Sequence, residues 1–262
     1  MKSALRGLAA VALALPLTAG AQGKTEITWY GHAAFVVKTP GGTVLAIDPW
    51  FSNPKSPAPD LAQKIEKVDY VLVTHGHSDH VGDAVAIAKR TGAKLVSAFD
   101  LGSSLVANAG FPKDQAGFDT QGNMGGAIQA GDAVVNIVPA FHGSSVDTDH
   151  GPAPAGNPVG FVIQIKNGPT LYHTGDTDVY SDMRLIPERF GPVTAMLACI
   201  GGHFTMDPKG AALAASYVRP KVIVPMHYGT FPVLPGTPQQ LEAALKGKTQ
   251  VRVLEPGKPW VL

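Results

Sequence analysis

The amino-acid sequence predicts an α/β fold in which β-sheets are combined with layers of helix. Short apolar runs typical of buried strands recur from Thr25 to Leu254, and helix-like stretches lie between several of them. No Pro/Ser-rich linker, internal repeat or low-complexity tract divides the chain. We therefore expect residues 22–262 to form one layered α/β domain.

The N-terminal half predicts a hairpin-rich sheet that continues into alternating strands and helices. The runs TEITWY, AAFVVK and TVLAID are separated by turn signals such as the Pro-Gly-Gly sequence at 40–42. DYVLVT (69–74) is a continuous apolar run of the kind found in strands buried on both faces. A helix is predicted from Val81 to Arg90, followed by a strand at KLVSA and a helix from Leu101 to Asn108.

The C-terminal half predicts further strands at AVVNIVPA, VGFVIQI, TLYHT, AMLACI, KVIVPM and QVRVL. Asp-Pro and Thr-Pro pairs, each an N-cap followed by proline at the first helical position, predict helices over 208–218 and 238–246. Two segments rich in Gly, Pro and Asp, 48–60 and 142–160, begin where apolar strands end. Such segments are typical of loops around a pocket.

The first 21 residues have the pattern of a signal peptide. Lys2 and Arg6 form a basic start, an apolar stretch from Leu8 to Leu17 follows, and Ala19-Gly20-Ala21 is a small-x-small cleavage site. About ten apolar residues are too few for a membrane span, which needs roughly twenty. We expect cleavage before Gln22, no stable membrane anchor afterwards, and a periplasmic or secreted bacterial protein.

The composition is that of a globular protein with little net charge. It is 45% hydrophobic and 16% charged, with a formal net charge of +1 that becomes −1 when Lys2 and Arg6 leave with the signal. A nearly neutral chain has no strong attraction for polyanions. We therefore expect a small-molecule substrate rather than nucleic acid, and no feature of the sequence fixes the oligomeric state.

A cluster of histidines follows the apolar run DYVLVT, in the sequence VTHGHSDH. His75 and His77 are two residues apart, so in extended backbone their rings project to the same side. Asp79 and His80 come next, where the chain turns into a helix. Imidazole nitrogens and carboxylate oxygens are ligands of zinc and similar ions. Four such groups exceed what one catalytic ion needs from a single segment, so two neighbouring ions are predicted.

Three further metal-binding side chains, His142, Asp176 and His227, each lie just past an apolar strand. Taken alone, any of them has a structural explanation as a hydrogen-bonded or capping residue. Their shared position at strand ends favours a common site with the HGHSDH cluster.

The segment from Thr74 to His80 matches the Thr-His-x-His-x-Asp-His signature of the metallo-β-lactamase fold. More closely, the chain resembles the metal-dependent hydrolase branch that is grouped with the ascorbate-6-phosphate lactonases. The segments WYGHAAFVV, DPWFSNP, YHTGDTD, IGGHFTMDP and PMHYGTFP carry this resemblance, which covers nearly all of the chain after the signal. It implies a four-layer αββα sandwich with a dinuclear metal site at one edge.

The resemblance also implies a ligand set and a reaction. It assigns seven ligands to two ions: His75, His77 and His142 to the first, Asp79, His80 and His227 to the second, with Asp176 bridging. Zinc is the expected metal because the set is rich in nitrogen, and manganese or iron is the alternative because it includes carboxylates. A hydroxide between the ions would attack a small ester, lactone or phosphoester. The alternative is a non-catalytic metal-binding or ligand-sensing module, but a decayed site usually lacks ligands and here all seven are present.

Some antibiotic-hydrolysing members of the fold use a cysteine ligand in the second site, where this chain has Asp176. Cys199, its one cysteine, lies in the apolar run TAMLACIGG and is expected to be a buried, inert thiol. Efficient β-lactam hydrolysis is therefore not expected.

Further residues are candidates for roles around the metals. Asp79 is assigned a catalytic role besides ligation, and His203, after a Gly-Gly turn, is a candidate general acid or substrate contact. His32, His173 and Tyr228 are candidates for support of the ligands or for substrate contact. For these last four residues an ordinary hydrogen-bonded or packing role is the alternative.

Overall fold

Sixteen strands build the computed structural model, which describes residues 23–262. In chain order they are β1 (Glu26–Trp29), β2 (Phe35–Lys38), β3 (Val44–Ile47), β4 (Tyr70–Leu72), β5 (Lys94–Ala98), β6 (Gln121–Gly122), β7 (Ala127–Ala130), β8 (Ala133–Pro139), β9 (Ser145–Val146), β10 (Ala153–Pro154), β11 (Val159–Ile165), β12 (Thr170–His173), β13 (Ala195–Cys199), β14 (Val222–Met226), β15 (Gln250–Val251) and β16 (Pro259–Val261). The predicted signal peptide at 1–21 lies outside the described residues.

The strands form two seven-stranded sheets and one short hairpin. The first sheet has the order β16-β1-β2-β3-β4-β5-β6, and the second has the order β15-β14-β13-β12-β11-β8-β7. The hairpin pairs β9 with β10 inside the predicted 142–160 loop. Each sheet is antiparallel on one side and parallel on the other, because β3 to β6 and β12 to β15 pair in parallel.

Seven α-helices connect the strands: α1 (Leu61–Lys64), α2 (Ser78–Val81), α3 (Ala84–Thr91), α4 (Phe99–Asn108), α5 (Leu185–Phe190), α6 (Pro208–Val218) and α7 (Pro238–Leu245). The N-cap residues predicted for α6 and α7 do cap these helices in the structure. Asp207 accepts a hydrogen bond from the Gly210 amide, and Thr237 forms a capping box with Gln240. The helices predicted over 208–218 and 238–246 therefore begin where expected.

The apolar side chains of both sheets form one continuous core. Its largest fully buried members include Phe35 and Leu45 from the first sheet and Phe161 and Tyr172 from the second. Helices α3 and α4 contact β4 and β5, whereas α6 and α7 contact β13 and β15. The predicted αββα sandwich is confirmed. Among residues 23–262, no helix is both long and apolar enough to cross a membrane.

The predicted helix from Val81 to Arg90 is wrong in one respect, because the chain breaks between α2 and α3. Gly82 lies at the break with φ +39°, and a Cβ there would be 2.5 Å from the Trp50 Cα. The close backbone approach therefore needs glycine and forces a new helix start. The predicted strand QVRVL is also shorter than expected, with only Gln250–Val251 paired.

Candidate metal centre

Strands that end at one edge of the sandwich position all of the predicted metal ligands. In the first sheet β1, β3 and β4 run in the same direction, and in the second sheet β8, β12 and β14 do so. A polar side chain follows the C-terminal end of each strand: His32, Asp48, His75, His142, Asp176 and His227. The two edges are joined directly, because the His227 amide donates to the His32 carbonyl at 2.9 Å.

The first group of potential ligands consists of His75, His77 and His142. His75 Nε2 lies 3.0 Å from His77 Nδ1, so the two rings face one point as their spacing predicts. Both rings lie 5.0 Å from the ring of His142. A Cβ on Gly76, between the first two histidines, would be 2.7 Å from the Ser145 carbonyl oxygen. Only glycine lets this strand end pass so close to the 142–160 segment.

The second group contains the predicted Asp79, His80 and His227, and also His32. Asp79 Oδ2 lies 2.9 Å from His32 Nε2 and 3.6 Å from His227 Nε2. On its other side the His32 ring meets the Thr230 hydroxyl, with Nδ1 to Oγ1 at 3.0 Å. Burial lowers the pKa of His32 to about 4, so the ring is neutral. The consistent assignment has Thr230 donating to Nδ1 and the ring donating to Asp79 from Nε2.

Asp176 lies between the two groups. Its Oδ2 is 2.9 Å from His227 Nε2 in the second group and 3.6 Å from His142 Nε2 in the first. Its Oδ1 is 3.3 Å from His80 Nε2. One carboxylate therefore faces both sets of histidines.

A second buried carboxylate, Asp48, orients two of these histidines from behind. Asp48 accepts hydrogen bonds from His80 Nδ1 at 2.7 Å and from the Thr74 hydroxyl at 2.7 Å. Because that hydroxyl donates to Asp48, its oxygen accepts the proton of His75 Nδ1, 3.1 Å away. With Nδ1 of both rings held in this way, Nε2 faces the centre and is the nitrogen that a metal ion would bind, in place of the proton that His80 carries there.

The carboxylates divide the histidines into protonated and neutral rings. At His227, burial is outweighed by the negative charge of Asp176, which raises the pKa of the ring to about 9. Burial is likewise outweighed at His80, whose pKa Asp176 and Asp48 raise well above its usual value. In return, these two histidines hold the pKa of Asp176 far below its usual range despite burial. At His75 burial dominates and lowers the pKa.

The donor atoms of the centre fit divalent ions. His80 Nε2, both ring nitrogens of His227 and Asp176 Oδ1 are buried without a hydrogen bond of good geometry, and orphaned polar atoms of this kind are costly unless something binds them. Metal–nitrogen bonds of about 2.0–2.1 Å in a tetrahedron place neighbouring ligand atoms about 3.3 Å apart. The separations of 3.0 Å between His75 and His77 and 3.3 Å between His80 and Asp176 are close to such an edge.

Three residues that build the centre have backbone conformations that favour glycine. His32, Asp48 and His227 have φ angles of +50°, +42° and +56°. Such conformations cost about 1–3 kcal/mol each and persist where the surroundings hold them. Here they redirect the chain directly after β1, β3 and β14, so that the side chains turn inward.

The remaining predicted residues lie around the centre in different ways. His173 accepts the Gly175 amide at Nδ1 and donates from Nε2 to the Ala33 carbonyl, so it braces the backbone beside Asp176 and His32. Tyr228 stacks on Trp29 at 5.7 Å, which favours the packing alternative. His203 and His150 are placed separately from the ligands: both are exposed, and the His203 ring packs against Phe204.

The cysteine and a cavity between two helices are separate from the proposed metal ligands. Cys199 is buried, its thiol contacts Thr174 and Thr177, and burial raises its pKa to about 11. The predicted burial of this thiol is therefore confirmed, and its inertness stays a prediction. A cavity of about 1160 Å³ lies between α6 and α7, but none of its lining residues is a histidine.

Fold and centre together define a class of protein. A family model described as a β-lactamase superfamily domain matches residues 26–227. Among solved structures the chain is similar to Igni18, a metallo hydrolase from the archaeon Ignicoccus hospitalis. That similarity has a TM-score of 0.78 and 37% sequence identity, and it covers 91% of this chain and 98% of that chain. The class is that of metal-dependent hydrolases with the metallo-β-lactamase fold, as the sequence predicts.

Two relatives identify the family within that class. A UPF0173 metal-dependent hydrolase of Anaeromyxobacter sp. (strain K) is 72% identical over 240 residues, covering 91% of this chain and 87% of the relative. Another, of Thermodesulfovibrio yellowstonii, is 48% identical over 240 residues, covering 89% of this chain and 90% of the relative. The chain belongs to the UPF0173 family of metal-dependent hydrolases. Its relation to the ascorbate-6-phosphate lactonases stays a prediction.

Proposed function

We propose that this protein is a dinuclear metal-dependent hydrolase of a small ester, lactone or phosphoester. The observation that carries the proposal is the position of Asp176, which faces a group of three histidines on one side and a mixed histidine–carboxylate group on the other. One carboxylate shared in this way can hold two cations side by side, because its negative charge offsets their repulsion.

The proposed ligands divide as the two groups do. His75, His77 and His142 would hold one ion, Asp79, His80 and His227 would hold the other, and Asp176 would bridge them. Zinc suits the nitrogen-rich set, with manganese or iron as alternatives because two carboxylates take part. Divalent ions bound here would supply a hydroxide nucleophile at neutral pH and polarise the scissile carbonyl or phosphoryl group.

The side chains around the ions have separate tasks. Asp79 is held at Oδ2 by His32, whereas its Oδ1 has no hydrogen bond from any residue in 23–262 and the side chain is 25% exposed. Asp79 can therefore take a proton at Oδ1 from an attacking water while it stays fixed at Oδ2. His203, which is exposed, is the proposed proton donor to the leaving group.

The proposed setting of the reaction rests on the signal-peptide pattern of residues 1–21 and on the small net charge. We propose export by the signal peptide and a periplasmic or secreted location. A nearly neutral protein with a recessed, histidine-lined centre suits a small molecule better than nucleic acid.

Metal removal and reconstitution test the function. The protein should be stripped with a chelator, reloaded with zinc, manganese or iron, and assayed against lactone, ester, phosphodiester and β-lactam panels. We expect about two ions per chain by elemental analysis, activity that disappears on stripping and returns on loading, and little β-lactam hydrolysis. Full activity without metal would refute the proposal, and tight metal binding without turnover on any panel would favour the non-catalytic alternative.

A further inference from the structure

Aromatic rings border the centre on the side of the second metal group. Trp50, from the 48–60 segment, stacks on Phe231 with ring centroids 5.9 Å apart. Both rings make edge contacts with His32, at 5.3 Å and 5.8 Å, and His32 in turn binds Asp79. Phe231 is 37% exposed. Trp50 and Phe231 therefore form an apolar surface, here called the apolar wall. His32 lies between this wall and Asp79, a proposed metal ligand.

A second aromatic pair borders the side of the first metal group. Phe141 directly precedes His142, and its ring lies 4.9 Å from that of Tyr180. The Phe141 amide donates to the Thr177 hydroxyl, so the residue is tied to the segment that follows Asp176. Its side chain is nevertheless 60% exposed. A large apolar ring held in place by backbone bonds, yet left in solvent beside a reactive centre, indicates contact with an apolar ligand.

The charges around the centre are unsuited to an anionic substrate. Within residues 23–262, the ion pairs of Asp79 and Asp176 are all with histidines. The segments that follow the site strands, at 142–160, 174–180 and 227–234, contain no lysine or arginine. Phosphate groups are usually held by such cations in bidentate or clustered contacts.

The 48–60 segment, which follows β3, differs from these three segments because it contains one cation, Lys55. It is exposed and has no ion pair with another residue of the described chain. It is therefore the cation of these segments that a phosphoester could use, and it supplies a test of that alternative.

We propose that the substrate is a neutral ester or lactone with an apolar acyl chain, and that Trp50, Phe231 and Phe141 bind this chain. The inference rests on the proposed hydrolase function and narrows its substrate class. In the reaction the oxygen of one water bonds to the carbonyl carbon and the ester C–O bond breaks. One proton of the water passes to the leaving oxygen and the other is released from the carboxylic acid product.

Binding of alkyl hydroxamates tests the apolar wall without requiring turnover. Acetyl, butyryl and octanoyl hydroxamate share one metal-binding head and differ only in chain length. For the metal-loaded protein we expect Kd, measured by calorimetry, to fall about threefold for each added methylene that reaches the wall. Phe231→Ala and Phe141→Ala should each weaken octanoyl binding about tenfold and leave acetyl binding nearly unchanged. Phe118→Ala is the matched control, because that ring is 86% exposed and stacks on Phe99.

Hydrolysis assays distinguish a failure of this inference from a failure of the proposed hydrolase function. We expect kcat/KM for p-nitrophenyl esters to rise from acetate to octanoate, to exceed that for bis(p-nitrophenyl) phosphate, and to be unaffected by Lys55→Ala. Metal-dependent turnover that favours the phosphodiester and depends on Lys55 would overturn the inference and leave the hydrolase proposal standing. Hydroxamate affinities that are independent of chain length would also overturn it. Chain-length-dependent binding without turnover of any ester would support the apolar wall and refute the hydrolase.

Discussion

The two halves of the candidate metal centre both contain histidines, but they differ in how close those histidines lie to carboxylates. His75, His77 and His142 have no carboxylate of their own, and burial lowers the pKa of His75 and His142. His80 and His227 lie beside carboxylates that raise their pKa. Before metal binds, His75 and His142 are thus neutral nitrogen donors, whereas His80 and His227 carry protons beside ionised carboxylates. The difference shows that carboxylates behind and between the rings decide what each histidine can do.

The largest effect should come from Asp176→Asn, because Asp176 is the one carboxylate shared by both halves. The change keeps the shape but deletes the charge that lets two cations lie side by side. We expect hydrolysis to fall roughly 10³-fold or more and metal content to fall below two ions, with a circular dichroism spectrum near that of the original protein. A variant that binds two ions and turns over normally would show that the halves are independent.

His77→Ala should affect one half only. It removes a neutral donor from the first half, so that half should lose its ion while the second half still binds. The loss of activity should exceed the roughly 10–100-fold that is typical of a lost supporting contact. Metal titration followed by elemental analysis checks this, and equal loss of both ions would contradict the division.

Asp48→Asn should act on both halves through the rings that Asp48 orients. His80 bonds Asp48 directly and His75 does so through Thr74. An amide at 48 can present its NH₂ group to those donors, so the tautomers are no longer fixed. We expect metal affinity to fall about 10–100-fold in both halves, measured by chelator competition. Thr74→Val should weaken the His75 half more than the His80 half.

The stability of the metal-free protein should depend on pH in opposite directions for the two halves. The pKa of His227 is raised to about 9, so its contribution is complete below pH 6.5 and is lost as the pH rises toward 9. A shift of this size corresponds to about 3 kcal/mol. The pKa values of His75 and His142 are lowered, so the contribution of the first half is lost as the pH falls below 6.5.

The free energy of unfolding of chelator-treated protein should therefore be greatest near pH 6.5. Metal ions need unprotonated rings, so loading at pH 7 should release protons, largely from His80 and His227. Calorimetry of metal binding in buffers of different ionisation enthalpy measures that release. Loading without proton release would mean that the second half is not protonated.

The smallest effect is expected for His150→Ala. His150 is exposed in the 142–160 segment, and its backbone amide donates a hydrogen bond to the Thr148 hydroxyl. Metal content and activity should stay unchanged, which makes this variant the control for His77→Ala. A clear loss of metal would extend the centre into that segment.

The sequence predicts the seven clustered side chains because each follows an apolar strand and the strands are readable as such. His75 and His77 also lie two residues apart in one short segment, and this spacing predicts that their rings project to the same side. The structure brings all seven together, while their roles as ligands stay predictions. The helices that begin at Pro208 and Pro238 were equally readable, because their caps are local.

Contacts between residues that are distant in sequence could not be predicted from the sequence. His32 meets Thr230 across 198 positions of sequence, and Asp48 meets His80 across 32. No periodicity or spacing reports such pairs, because they arise only when segments that are distant in sequence pack together in the fold. The break at Gly82 has the same cause, since it depends on the approach of Trp50 from another segment.

The backbone bond from the His227 amide to the His32 carbonyl joins the edges of the two sheets. Deuterium can replace that amide hydrogen only when the bond opens, and opening it separates the strand end that carries His32 from the one that carries His227. The exchange rate of this single amide therefore reports how often the two sheet edges separate at the centre. Because a bound ion would hold His227 in place through its side chain, metal loading should slow the exchange of this amide. The exchange rates of amides at the opposite edge of the sheets should not change.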